Sequence, residues 1–318
     1  MKPQPTMFFL AEEYLDFRRK LGFALRIEGE ELLRFAHYAD RIGHQGPITT
    51  RLAVEWAKLP EHADPLYWAR RLDIVRRFAK YRILFDARTE IPPEGFLGPS
   101  YRRPTPHIYS EEEIAALLKT SSHLAPINGI RPKTYATLFS LLACTGLRIS
   151  EALRLNRTDV DLKAGVLRIR ATKYKKDRLV PLHPSATRGL GRYAEYRDHY
   201  HPGAESDAFF ISKRGTDLKY RDVMFTFCSL RNSLGWTSGE GGRPPMIHGL
   251  RHTFAVRCLI RWYKKGSDLD QKISALSTYL GHVKVTDTYW YLTAVPDLLA
   301  LISTRFEQFS HRRKGGAA

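Results

Sequence analysis

Cysteine is nearly missing from this chain: Cys144, Cys228 and Cys258 are the only three in 318 residues. They lie far apart in apolar settings, and so odd and sparse a set excludes a disulfide framework and suits a reducing interior. Long apolar runs are missing too. None approaches the ~20 residues that a membrane span needs. The opening stretch "MKPQPTMFFLAEEY" carries one lysine and a short apolar cluster broken by Glu12 and Glu13, too short for a secretory signal. These absences make the cytoplasm the expected location. Repeats and low-complexity tracts are likewise absent. Acid is scarce: 33 Asp and Glu stand against 51 Lys and Arg, for a net charge of +18. A cationic excess of this size points to a polyanionic partner, most often nucleic acid, because neutralising phosphates releases condensed counterions. The plain alternative is a merely basic soluble protein.

What is present suggests about two domains. Residues 6–86 read as helices throughout: "MFFLAEEYLDFRRKLGF", "EGEELLRFAHYADRIG", "TTRLAVEWAKL" and "DPLYWARRLDIVRRFAKYRILF" all repeat apolar residues three and four apart. The last carries Arg70, Arg71, Arg76, Arg77, Lys80 and Arg82, either a solvated face or a surface for DNA. "ARTEIPPEGFLGPSYRRPTP", at 87–106, is too rich in proline and glycine for a helix or central strand. It reads as an interdomain linker, with Arg102 and Arg103 available to cross a phosphate backbone. The expected division is therefore a helical domain over 1–90, a linker over 91–106 and a second domain over 107–318. In the second, Ser110 and Glu113 form a capping-box pattern. "TYATLFSLLAC" and "TGLRISEALRL" read as successive helices, and "GVLRIRATKYKKDRLVPL" as a β-hairpin with a basic tip holding Lys173, Lys175 and Lys176. Segments 185–198, 219–234, 248–265, 269–280 and 296–309 read as helices. The expected class is mainly α with a small antiparallel sheet.

Four separated pieces of the second domain carry unusual polar groups. They are Arg148 in "TGLRISE", the lysines of the hairpin tip, His248 and Arg251 in "HGLRH", and His282 with the tyrosines of "LSTYLGHVKVTDTYWYL". Singly, each has a dull reading. Arg148 can pair with Glu151, tip lysines are usually solvated, and Tyr279 and Tyr289 suit a core. His248 and His252 stand at a metal-ligand spacing, but the zinc-protease pattern needs Glu after the first His, where this chain has Gly249. No metal and no cofactor is expected.

Together, in this order and spacing, "TGLRISE", a lysine on the following hairpin, "HGLRH", "LGH" and a tyrosine nine residues further on resemble the tyrosine recombinase (phage integrase) family. The likeness spans most of residues 107–305. The ending "VTDTYWYLTA" looks most like integrases of transposons and other mobile elements. The resemblance implies a helical, SAM-like core-binding domain followed by an α+β catalytic domain. It implies Tyr291 as nucleophile, Arg148 and Arg251 as a clamp on the phosphate, and Lys173 as general acid, with Lys175 or Lys176 as substitutes. His248 becomes general base or phosphate donor, His282 a second donor that positions Tyr291, His252 a supporting residue and Glu151 a buttress. Tyr289 is the alternative nucleophile, but two residues on a helix differ by about 200°, so both cannot face one phosphate. Double-stranded DNA is the implied partner, gripped also by Arg70, Arg71, Arg76, Arg77, Lys80, Arg102, Arg103, Lys175 and Lys176. Four protomers would meet at the DNA synapse, from a free monomer. The implied activity is site-specific cleavage and rejoining of DNA through a 3′-phosphotyrosyl intermediate without a metal. A type IB topoisomerase or a catalytically silent DNA-binding regulator are the alternatives.

Overall fold

A computed structural model describes residues 5–102, 105–170, 177–203, 206–238 and 244–294. The chain divides into two compact units, 1–103 and 104–318. Among the described residues no helix is long and apolar enough to cross a membrane.

The first unit contains α1 (Met7–Lys20), α2 (Arg26–Arg41), α3 (Thr50–Lys58) and α4 (Pro65–Arg82). Side-chain caps start three of them: the Thr6 and Thr49 hydroxyls accept from Phe9 N and Leu52 N, and the Asp64 carboxylate accepts from Leu66 N ahead of Pro65. Leu15, Leu32, Phe35, Trp56, Val75 and Phe78 fill the core between them. Asp40, near the end of α2, accepts from the first amides of α1, Met7 N and Phe8 N, so the two helices are tied as well as packed. The proline-rich segment is anchored to this unit rather than free. Ile91 and Leu97 pack on its core. Arg76 Nε donates to Pro92 O and Arg70 Nε to Ser100 O.

The second unit begins with α5 (Glu111–Ser121), whose capping box forms as the sequence suggests. Helix α6 (Ile130–Thr145) is apolar on most of its circumference and is the central element, packed against α5 and two later helices. Beyond it the predicted helix over 145–155 does not form. The chain turns at Gly146 and makes only the four-residue α7 (Ile149–Ala152), with Arg148 as its extended N-cap. Tertiary pairing ends α7: Phe209 N donates to Leu155 O, Asn156 bridges Ala208, and a 3₁₀ turn follows at Arg157–Asp159. Strands β1 (Val160–Asp161), β2 (Val166–Ile169) and β3 (Arg178–Pro181) form one antiparallel sheet in that order. Leu167 pairs with Val180, and both point into the core. The pair of residues in β1 is too short for alternation to announce it. The hairpin tip, 171–176, lies outside the described residues.

Helices α8 (Pro184–Tyr200), α9 (Tyr220–Ser233), α10 (His248–Lys264), α11 (Leu269–Leu280) and α12 (Thr286–Ala294) follow among the described residues. A second, smaller core of Ala255, Val256, Leu259, Ile273, Leu276, Leu280 and Tyr291 joins α10, α11 and α12. The helix expected at 296–309 lies outside the described residues. The observed class is mainly helical with a small antiparallel sheet.

Candidate active site

A glycine and an arginine make the first corner of the site. Gly146 ends α6 at φ +63°, and a Cβ there would stand 2.5 Å from the Phe254 ring. Only glycine fits both the left-handed backbone and the close approach. The turn delivers Arg148 to the N-cap of α7, where Glu151 folds back: its Oε2 accepts from Arg148 N at 3.0 Å and its Oε1 from Arg148 Nη1 at 2.8 Å. Arg148 also donates to Gly281 O at 3.1 Å.

The second corner is the first turn of α10. A Cβ on Gly249 would meet Tyr109 at 2.8 Å and His107 O at 3.0 Å, so the glycine lets the segment before α5 lie against this turn. Tyr109 N donates to Thr253 Oγ1 and Tyr109 Oη to Met246 O, which pins that segment. Arg251, only 2% exposed, donates to Gly146 O at 2.8 Å and to Leu280 O at 2.7 Å. It therefore joins the turn before Arg148 to the end of α11. Burial and the Arg148 charge lower its pKa to about 10, so it stays charged at neutral pH. His248 keeps an exposed face. Desolvation by the surrounding protein, then the charges of Arg251 and Arg148, push its pKa down to about 4, which leaves a neutral imidazole at pH 7.

The third corner is the α11–α12 connection. Gly281 caps α11 at φ +68° and turns the chain into His282, whose Nδ1 bonds the buried Thr288 hydroxyl at 2.7 Å. Helix α12 then separates the tyrosines as its geometry requires. Tyr291 is 2% exposed and faces inward, while Tyr289 is 40% exposed and donates to Asp270 at 3.3 Å. Tyr279 stacks on Phe254 at 5.6 Å between the two cores. The Tyr291 hydroxyl lies 3.0 Å from His252 Nδ1, and its ring stacks 6.4 Å from that of His282. His248 meets His252 edge-on at 4.5 Å. A charge on the phenol is near enough to stabilise that on Arg251. Arg148, His248, Arg251, His282 and Tyr291 are thus brought together, with His252 touching the phenol more directly than its supporting role suggested.

The glutamate is the electrostatic centre. Burial alone would raise its pKa, but Arg178 and Arg148 hold Glu151 at about 2. Arg178, which no motif marked, donates to both its oxygens, at 3.1 and 2.8 Å.

Lys173, Lys175, Lys176 and Arg103 lie outside the described residues. Of the other expected DNA contacts, Arg70, Arg77, Lys80 and Arg102 are exposed. Arg71 is not available to DNA: it is 7% exposed, with its guanidinium 3.9 Å over the Trp56 ring. Its spacing carried the signal, since it stands four and seven residues before the core residues Val75 and Phe78. The Arg76 guanidinium is turned onto Pro92 O and Glu94, with only 17% of its side chain exposed.

The profile described as Phage integrase family matches residues 108–296. An integrase/recombinase of Sinorhizobium fredii, y4rB, is 42% identical over 303 residues, 93% of this chain and 96% of its own. The tyrosine recombinase XerC of Chlamydia caviae is 32% identical over 70% of this chain and 65% of its own. Two solved structures share the fold. The Tn1549 transposon integrase in complex with transposon right end DNA has a TM-score of 0.67 and 17% identity, covering 95% of this chain and 99% of that one. A lambda integrase tetramer bound to a Holliday junction has a TM-score of 0.60 and 16% identity, covering 89% and 79%.

Proposed function

The chain belongs to the phage integrase family, and we propose that it is a site-specific DNA recombinase that cuts and rejoins strands through Tyr291. The observation that carries this reading is Arg251. Buried and charged, it ties the Arg148 turn to the turn before His282, with the Tyr291 phenol close enough to act on its charge.

The chemistry follows from these groups. The Tyr291 oxygen attacks phosphorus, the P–O5′ bond breaks, and the DNA is left as a 3′-phosphotyrosine. Bond energy is conserved, so a 5′-hydroxyl reverses the step. A phenol of pKa near ~10 is about 0.1% ionised at pH 7, so its proton must leave as it attacks. A neutral His248 retains the lone pair that such a transfer requires. Negative charge builds on the non-bridging oxygens, and Arg148 and Arg251 answer it with bidentate donors that keep their charge at neutral pH. A well-aimed donor of this kind contributes on the order of 3 kcal/mol to the barrier reduction. The leaving O5′ takes a proton from Lys173, the role that the family resemblance gives it. In this reading the guanidiniums supply the positive charge that a metal supplies elsewhere. Duplex DNA is the partner, held partly by Arg70, Arg77, Lys80 and Arg102, and recombination assembles four protomers on two duplexes.

The test is covalent capture. The protein is incubated with a library of randomised, nicked duplexes, denatured in detergent, and the protein-bound DNA sequenced. An adduct mapping to Tyr291 by mass spectrometry, absent from Tyr291→Phe and formed equally in EDTA, is the expected result. An adduct on Tyr289, or one lost in EDTA and restored by Mg²⁺, would overturn the assignment.

A further inference from the structure

Arg178 opens β3, immediately after the lysine-bearing hairpin tip, and its side chain is only 11% exposed. Each of its three nitrogens is engaged by protein. Nη1 and Nη2 donate to the two oxygens of Glu151, and Nε donates to Tyr279 O at 2.8 Å. With so little of it exposed, this guanidinium is committed to protein groups. Its position is also built into the neighbouring turn. A Cβ on Gly281 would lie 2.8 Å from Arg178 Nη1 and 3.1 Å from its Cζ, so the glycine before His282 leaves room for this side chain.

Glu151 consequently accepts four hydrogen bonds, two from Arg178 and two from Arg148. Arg178 spans the carboxylate edge-on, which fixes the plane in which Arg148 must meet it. We propose that Arg178 is a positioning residue for cleavage, holding the Glu151 carboxylate so that Arg148 keeps the orientation in which it binds the scissile phosphate. Without Arg178, the buried carboxylate has one cation left. Arg148 is drawn across both oxygens, and its donors turn from the phosphate. This inference rests on the reading of Arg148 as a phosphate ligand.

The experiment compares single-turnover adduct formation on nicked duplexes carrying the captured site, with either a phosphate or a methylphosphonate at the scissile position. The methyl group replaces one non-bridging oxygen and removes a negative charge, so a missing guanidinium matters less. Arg178→Ala should form adduct about 10²-fold more slowly on phosphate, the loss typical of one misaimed donor, with the half-saturating DNA concentration unchanged. That deficit should shrink at least about tenfold on methylphosphonate, as is expected also of Arg148→Ala. In an Arg148→Ala background, Arg178→Ala should cost less than about threefold, because the two act as one unit. Arg178→Lys, which keeps the charge and serves if the alanine variant does not fold, should remain defective in the same substrate-dependent way, since one ammonium cannot span both oxygens and the carbonyl. Equal deficits on the two substrates, additive losses, or full activity of Arg178→Lys would overturn the proposal. If Arg148→Ala shows the substrate dependence and the Arg178 variants do not, this inference alone fails. If wild-type protein forms no adduct on Tyr291, the underlying reading of the site fails first.

Discussion

Replacing Glu151 by Gln tests how the site is held together without reference to DNA. The folded carboxylate has a pKa of about 2 against an ordinary 4.5, because Arg178 and Arg148 outweigh the effect of burial. That depression corresponds to about 3 kcal/mol of stability at pH 7. The folded value is depressed, so the contribution is complete above pH 4.5 and is lost as pH falls towards 2. By pH 3, about 2 kcal/mol of it should be gone. Glutamine keeps the shape but cannot ionise, and its amide NH₂ would face guanidinium donors. The expected signature is a destabilisation of about 3 kcal/mol at pH 7 that narrows to about 1 kcal/mol at pH 3. Hydrogen exchange on α6 peptides, corrected for intrinsic rates, reads the second unit separately from the first. A difference below about 1 kcal/mol at pH 7, or one that does not change with pH, would refute the account of Glu151 as an ionised, doubly paired carboxylate.

Arg71→Ala should destabilise the first unit by about 2 kcal/mol, through lost packing on Trp56, and leave the salt dependence of DNA binding unchanged. Arg77→Ala should leave stability within about 0.5 kcal/mol and reduce the slope of log K against log salt by about 1. Gly146→Ala should cost at least about 2 kcal/mol in thermal or urea unfolding, since it adds left-handed strain to a 2.5 Å contact with Phe254. Arg251→Lys should bind DNA but lose most adduct formation, because an ammonium cannot reach Gly146 O, Leu280 O and a phosphate together; near-wild-type cleavage would argue against the clamp.

The helices of the first unit were legible because their signals are local: an apolar stripe at helical spacing, with Thr or Asp at the start of three of them. The polar groups of the site were legible for another reason. Their order along the chain resembles a family, and no periodicity would have joined Arg148 to Tyr291. Long-range pairing erased the helix expected after Gly146, where residues near 207–209 bond to Leu155 and Arg157. Arg178 was hidden for the same reason. In "KKDRLVPL" it is one cation among several at the start of a strand, and its meaning depends on a carboxylate 27 residues away. Arg71 was misjudged where the sequence did hold the answer. Counting cations around α4 ignored that this one lies on the apolar stripe.

The site concentrates positive charge that folding alone would disfavour. Arg148, Arg178 and Arg251 crowd around a single carboxylate; burial first, and then the neighbouring cations, depress the pKa values of Arg251 and His248. What offsets it is backbone. The carbonyls of Tyr279, Leu280 and Gly281, at the C-terminus of α11, accept from all three guanidiniums. A helix C-terminus carries partial negative charge, so these acceptors are both geometric stops and electrostatic partners. One carboxylate and one helix end are enough to fold the cluster but leave it net positive, and on the proposed reading an arriving phosphate diester supplies the missing charge. On that reading, the same arrangement sets the condition for cutting. Tyr291 is packed in the core of α10, α11 and α12 with its hydroxyl on His252, so attack on a phosphate would require that packing to open. Cations held at the turns and a nucleophile held in packing would then let DNA bind first and be attacked second.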